Sequence, residues 1–303
     1  MNGVVFVEVP LTAAVREATG VTGPAERLYG GEESAAWRVG AHVVRIGGYD
    51  KDTAEAEWCH RVAVAARTGG CPEAVAPLPV PGRDDGATVV RVEGRAVSLW
   101  PYVDGVWADG DDPRSATAAA RMLARLHRAL AGADLPPRPK PSFLEVGLAG
   151  DVAYDDPRLH DPQLDRWLAG FSARARLRHA LHGDYYHGNL LVDRDDPARI
   201  VAVLDWDESL VAPPEVEVGS AALEFADELC QNPADARRFA DAYLEAGGTA
   251  EALDEESLTQ LMRHRLRREG AYFALAVARG VRHDEEDLDY HRRRMEAFAS
   301  LRP

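Results

Sequence analysis

One stretch restricts the possible folds more than any other. From Leu181 the chain reads Leu-His-Gly-Asp-Tyr-Tyr-His-Gly-Asn-Leu-Leu-Val-Asp, and from Val201 it reads Val-Ala-Val-Leu-Asp-Trp-Asp. The apolar runs 190–192 and 200–204 flank an Asp195-Asp196-Pro197 turn, so they pair as a β-hairpin. Asp184 and Asn189 then stand on the loop entering the hairpin, and Asp205 at its exit. An Asp and an Asn five residues apart, with a second Asp beyond the hairpin, converge from three backbone points.

Phosphoryl transfer asks for that arrangement. It needs phosphate charge neutralised and an acceptor hydroxyl held in line, with little covalent work by the protein. Asn189 and Asp205 offer hard oxygen ligands of the kind Mg²⁺ takes alongside phosphate and water oxygens. Asp184 is placed to accept the proton of a substrate hydroxyl.

The rest of the chain divides in pattern. In residues 1–100 the segments 25–29, 35–39, 42–46, 88–92 and 95–100 read as strands, two pairs of them as hairpins around Gly40-Ala41 and Glu93-Gly94. One helix, 52–68, interrupts them before Gly69-Gly70, and residues 1–10 read as a short strand. Beyond a linker at 101–105, Asp112 caps a helix beginning at Pro113, with Met122, Leu123, Leu126 and Leu130 as its apolar stripe. After residue 215 the pattern is helical almost to Phe298. The expected architecture is α+β and bilobal: a β-rich N-lobe (1–100), a hinge (101–105) and a larger, mostly helical C-lobe (106–303).

Composition removes several function classes. A formal charge of −15 disfavours nucleic acid and anionic membranes as partners, though it suits a cationic substrate as well as a solubilising surface. No apolar run spans a bilayer, and no basic segment precedes the first apolar stretch. Cys59, Cys71 and Cys230 form no paired motif, which argues against disulfides and structural zinc and for a reducing cytoplasm.

His182-x-Asp184-x4-Asn189 followed by Asp205 matches the catalytic pattern of the protein-kinase-like fold, and the wording around it resembles the aminoglycoside phosphotransferase family. That family includes kinases for macrolides, homoserine and choline. The resemblance runs over roughly residues 25–280 and includes Met122-Leu123-Ala124-Arg125-Leu126-His127 after the hinge. It implies a small-molecule kinase, monomeric or homodimeric, that moves the γ-phosphate of ATP or GTP to a hydroxyl with Mg²⁺. It also implies that His182 braces the catalytic loop beside Asp184. Arg45 replaces the usual phosphate-holding lysine, with Glu55, or else Glu57, as its partner on the following helix. Lys51 reads as a surface lysine. Gly30 and Gly31 mark a phosphate-covering turn, and Trp100, Tyr102 and Val103 the purine-binding linker, where Pro101 has no N–H to donate.

The acceptor region draws on Tyr185, His187, Asp207, Glu208 and Arg268, a mixture of acids and arginines that leaves the substrate open. Two other readings compete: a metal-dependent hydrolase using His182, Asp184 and His187 as ligands, and a kinase-shaped module that binds nucleotide without turnover.

Overall fold

The computed structural model describes residues 9–28, 34–152, 154–174, 177–226, 233–251, 253–278 and 280–303. Five strands, β1 (Glu26–Leu28), β2 (Ser34–Val39), β3 (His42–Gly47), β4 (Val89–Val92) and β5 (Arg95–Pro101), form an antiparallel sheet in the order β1-β2-β3-β5-β4. Alternation along β3 sorts its side chains. Val44 and Ile46 are buried with Ala35, Val97 and Leu99, so Arg45 faces away from that core.

A helix that the sequence did not reveal, α1 (Ala13–Thr19), caps this core with Val15. Its seven residues bury only Val15 and Thr19, too little for a helical period to develop. The strand expected over 1–10 lies, apart from Val9 and Pro10, outside the described residues.

The expected helix after β3 is α2 (Thr53–Thr68), started by Asp52, which accepts from the N–H groups of Ala54 and Glu55 at 2.8 and 3.1 Å. Such a cap is worth about 1 kcal/mol. Although α2 lies within the first hundred residues, Cys59, Val62, Ala63 and Ala66 join the core of the helical region against Leu123 and Leu126.

Short strands position the functional loop. β6 (Val106–Trp107), β8 (Leu190–Val192) and β9 (Ile200–Val203) form one sheet in the order β6-β8-β9, and β7 (His179–Leu181) pairs with β10 (Leu210–Ala212). The β8–β9 hairpin sets Leu190 opposite Val203. The other short strands went unforeseen because two or three residues show no alternation.

The remaining helices are α3 (Pro113–Ala131), α4 (Pro162–Arg174), α5 (Pro214–Ala226), α6 (Pro233–Glu245), α7 (Glu255–Ala278) and α8 (Glu285–Ser300). The expected stripe of α3 is buried: Met122, Leu123, Leu126 and Leu130. α5 is buried on nearly every side, and α7 packs against both it and α8. Among the described residues no helix is long and apolar enough to cross a membrane.

Candidate active site

β7 ends at Leu181 and delivers His182 into the interior, fully buried. Its Nε2–H donates to the Leu204 carbonyl at 2.7 Å, and its Nδ1 accepts from the Asp184 N–H at 3.3 Å. Both ring nitrogens are thus spent on the loop. Gly183 follows at φ 94°, where a Cβ would collide with the Glu208 carbonyl, so no other residue fits. Glu217 of α5 accepts from the N–H groups of His182 and Gly183, and its carboxylate also meets His127 Nε2 of α3 at 2.8 Å. Burial would raise the pKa of Glu217, but these bonds and the neighbouring histidines hold it below the usual carboxylate range.

The loop brings the three predicted polar residues together. Asn189 Nδ2 donates to the Asp184 carbonyl at 2.8 Å and to Asp184 Oδ2 at 3.2 Å. Asp184 Oδ1 receives Arg265 Nη2 at 3.3 Å. Asp205 sits at φ 56°, one of two non-glycine residues with positive φ among those described, a conformation that Asp tolerates better than most. Its Oδ1 accepts from both terminal nitrogens of Arg45 at 3.2 Å.

Arg45 therefore reaches the hairpin exit from β3. It also donates to Asp207 Oδ2 at 2.9 Å and to Ser34 Oγ at 3.1 Å. Several expectations change here. Glu55 bonds Arg138 at 2.6 Å, because its position on α2 turns it toward the loop before residue 140. Glu57 accepts from the Thr88 and Val89 N–H groups at 2.8 and 2.7 Å, stitching α2 to β4. Lys51 is not a surface lysine: its Nζ lies 2.5 Å from Asp207 Oδ2, with the side chain only 21% exposed. Asp207, expected in the acceptor region, is instead paired with Arg45 and Lys51. Burial would raise its pKa, yet Arg45 and Lys51 hold it far below the usual carboxylate range.

A cleft of about 630 Å³ opens between sheet and hairpin, with Arg45, Asn189 and Asp205 at one end and Val43, Trp100 and Leu191 among its apolar walls. That is the size and character of a small-ligand site. In the linker, the Tyr102 N–H is already bonded to the Ala41 carbonyl at 2.8 Å, so it is not available to a ligand. The Val103 N–H has no protein acceptor among the described residues, and Val103 lines the cleft. Gly30 and Gly31 lie outside the described residues.

On the opposite side of Asp184 the expectations divide. Tyr185 is buried and donates to the Ala119 carbonyl at 2.8 Å, so it packs and does not face a substrate. His187 stands edge-on to Tyr186 and Phe225, with ring centres 5.3 and 6.2 Å away. Glu208 is half-buried in the turn after Trp206, and Arg268 is buried near it. The residue that sequence reasoning missed is Arg265, which lies in a run of α7 arginines whose neighbours Arg263 and Arg267 turn to Asp161 and Asp165. Only packing distinguishes them.

The donor set suits Mg²⁺ held with a nucleotide. With its Nδ2 spent on Asp184, Asn189 keeps Oδ1 for a ligand, and Asp205 keeps Oδ2. The hydrolase set is not assembled. His182 has used both nitrogens, and among the described residues no three His, Cys, Asp or Glu side chains form a metal-binding group.

Comparison with known proteins agrees with this geometry. A sequence model described as the phosphotransferase enzyme family matches residues 25–257. No curated protein matches the chain. Among solved structures, amicoumacin kinase in complex with AMP-PNP, Ca²⁺ and Ami superposes with TM-score 0.69 at 12% identity, over 92% of this chain and 90% of that one. A microcompartment-associated aminopropanol kinase gives 0.68 at 19% identity, covering 93% and 92%. A choline/ethanolamine kinase family protein from Mesorhizobium loti gives 0.61 at 21%, covering 98% and 92%. At these identities the structural likenesses establish a common fold.

Proposed function

The chain belongs to the phosphotransferase enzyme family, and from that premise we propose that it transfers the γ-phosphate of a nucleoside triphosphate to a hydroxyl of a small molecule, with Asp184 as base. The observation that carries this reading is the bonding of Asn189 to Asp184 at the mouth of a cleft that Arg45 and Asp205 also line.

The acceptor oxygen forms a bond to the γ-phosphorus as the bond to the β–γ bridging oxygen breaks. The nucleoside diphosphate leaves with that electron pair, and the hydroxyl proton passes to the Asp184 carboxylate. Asn189 Oδ1 and Asp205 would hold a divalent cation such as Mg²⁺, which would supply neutralisation of the phosphate charge. Arg45 and Lys51 exchange their carboxylate partners for phosphate oxygens, and the Val103 N–H meets the purine edge. In this reading residues 101–105 are the hinge between a nucleotide-binding lobe, 1–100, and a catalytic lobe, 106–303. A triphosphate-dependent reaction fits a cytoplasmic setting.

The test is nucleoside diphosphate release across a panel of amino alcohols, hydroxy acids, sugars and hydroxylated antibiotics, with and without Mg²⁺. Acceptor-dependent release that stops on chelation is expected, and Asp205→Ala should raise the Mg²⁺ requirement. Substrate cleavage without any nucleotide would instead return the hydrolase reading. Nucleotide binding with no acceptor turned over would return the inactive module.

A further inference from the structure

Two arginines of α7 stand on the acceptor side of Asp184, and they are held in different ways. Arg265 is held by carboxylates: Nη2 meets Asp184 Oδ1 at 3.3 Å and Nε lies 2.5 Å from Glu269 Oε1. Arg268, three residues on and 5% exposed, has one hydrogen bond, to the Leu144 carbonyl at 3.3 Å. Among the described residues no carboxylate pairs with it. The charges of Glu269, Asp184 and Glu208 act on it without a direct pair, and a buried guanidinium whose one hydrogen bond goes to a neutral carbonyl is costly, so folded proteins pair such charges. The same helix demonstrates the rule, since buried Arg263 pairs with Asp161 and buried Arg267 with Asp165.

Accessibility separates Arg268 from those two. Arg263 keeps one unbonded nitrogen sealed from water and Arg267 two, whereas among the described residues none is sealed on Arg268. Its unbonded N–H groups therefore retain some contact with solvent. The position of that contact follows from Leu144, whose carbonyl Arg268 touches. The Leu144 side chain lies against Gly183, where an added Cβ would come within 3.1 Å of Leu144 Cδ1. Arg268 thus stands beside the loop that carries Asp184.

We propose that Arg268 binds an anionic oxygen group of the acceptor, a carboxylate or a phosphate, so that the substrate is a hydroxy acid or a phosphorylated alcohol and not a simple amino alcohol. This rests on the assignment of Asp184 as the base. The guanidinium fork matches either anion with two parallel bonds. A cationic acceptor would instead have to pair with Asp184, Glu208 or Glu269, whose charges act on Arg268, and would leave Arg268 without an anion of its own. Arg268 acts as a specificity residue, and the proton still leaves through Asp184.

Matched probes test this on the full chain with Mg²⁺ and ATP. D-Glycerate and glycerol differ by the carboxylate, glycerol 3-phosphate and glycerol by the phosphate, and 1-amino-2-propanol and ethanolamine supply the cation. The expected result is a Michaelis constant for one of the acids about 10- to 100-fold below that for glycerol, the value of one charge-assisted contact. Which acid it is separates carboxylate from phosphate. Arg268→Gln should raise that constant by a similar factor with a smaller effect on kcat, and Arg268→Lys should recover part. Thermal stabilisation of the unmutated protein by each probe, in the presence of a non-hydrolysable ATP analogue, gives the same ranking even where Arg268→Gln does not fold. Preference for the amines, or no response to either acid, overturns the proposal. If glycerol or an amine is phosphorylated, the kinase reading survives that failure. If no hydroxyl compound drives nucleotide turnover, both readings fall.

Discussion

The two sides of the cleft use the same chemistry at different depths. On the sheet side, Arg45 and Lys51 hold Asp205 and Asp207 with side chains 19% and 21% exposed. On the helical side, Asp184 is held by Arg265, which is held by Glu269, which Arg294 of α8 grips at 2.7 and 2.8 Å while also bonding Glu224 at 2.8 Å. Arg294 and Glu224 are only 2% and 6% exposed. Solvent reaches the first set, so under the proposed function its ion pairs can be exchanged for phosphate oxygens. In the second set Asp184, Arg265 and Glu269 are 31%, 16% and 26% exposed, and only the Arg294–Glu224 pair behind them is too buried to exchange without large cost, so the chain is anchored from its inner end.

The sharpest division should come from Asp184→Asn. Turnover should fall about 10²- to 10⁴-fold while nucleotide affinity, read by calorimetry, stays unchanged. Activity within tenfold of the unmutated enzyme would remove Asp184 from its role and merge the two sides.

Glu269→Gln comes next, because it removes one of the carboxylates that hold Arg265 and Arg294, leaving Asp184 and Glu224. Denaturant unfolding should report a loss of about 3 kcal/mol, because the remaining carboxylates no longer balance the buried guanidinium charges. A loss under about 1 kcal/mol would mean that the helical side is as exchangeable as the sheet side.

On the sheet side stability should move little and nucleotide kinetics more. Arg45→Ala should raise the Michaelis constant for nucleotide about 10- to 100-fold, and Arg45→Lys should restore only part because the ammonium lacks the planar fork. Lys51→Ala should raise it about tenfold, in contrast to the inert lysine that sequence suggests. An unchanged constant in Lys51→Ala would confine the phosphate contact to Arg45.

The smallest effect concerns a buried histidine behind each side. His60, bonded to Thr88 Oγ1 at 2.7 Å, and His179, bonded to Thr249 Oγ1 at 2.9 Å, are kept neutral chiefly by burial, with pKa values lowered to about 3 and about 4. Their unfolded forms titrate near the ordinary value, so the unfolded chain binds more protons below about pH 6.5. Stability is therefore complete above that pH and declines as pH falls toward about 4 for His179 and about 3 for His60. Each contributes up to about 1.4 kcal/mol per pH unit. Replacing either by Gln should flatten its share of the slope in denaturation at pH 7 and 5. A slope that survives both replacements would belong to other groups.

The convergence of the three polar residues was legible because its information is local. Asp184, Asn189 and Asp205 lie within one short segment, and the hairpin between them follows from apolar runs and a turn. Arg45 was legible in part: strand alternation turned it to the cleft, but its partners lie 160 and 162 residues away, and no spacing rule reaches that far. The choice of Glu55 failed for the same reason, since helical periodicity names a face and not the neighbour opposite it. Lys51 lay outside any element, where pattern says nothing about direction.

The sequence alone determined the order of the long N-terminal strands and their helix, the split into sheet and helical regions, and the three polar residues that the loop and hairpin bring together, because periodicity and turn chemistry act over a few residues. Tertiary structure alone decided which of four neighbouring arginines, Arg263, Arg265, Arg267 and Arg268, meets Asp184 and which lacks a carboxylate. Residues three or four apart on α7 share a face, but packing against α4, α5, α8 and the turn at Leu144 determines what each one meets.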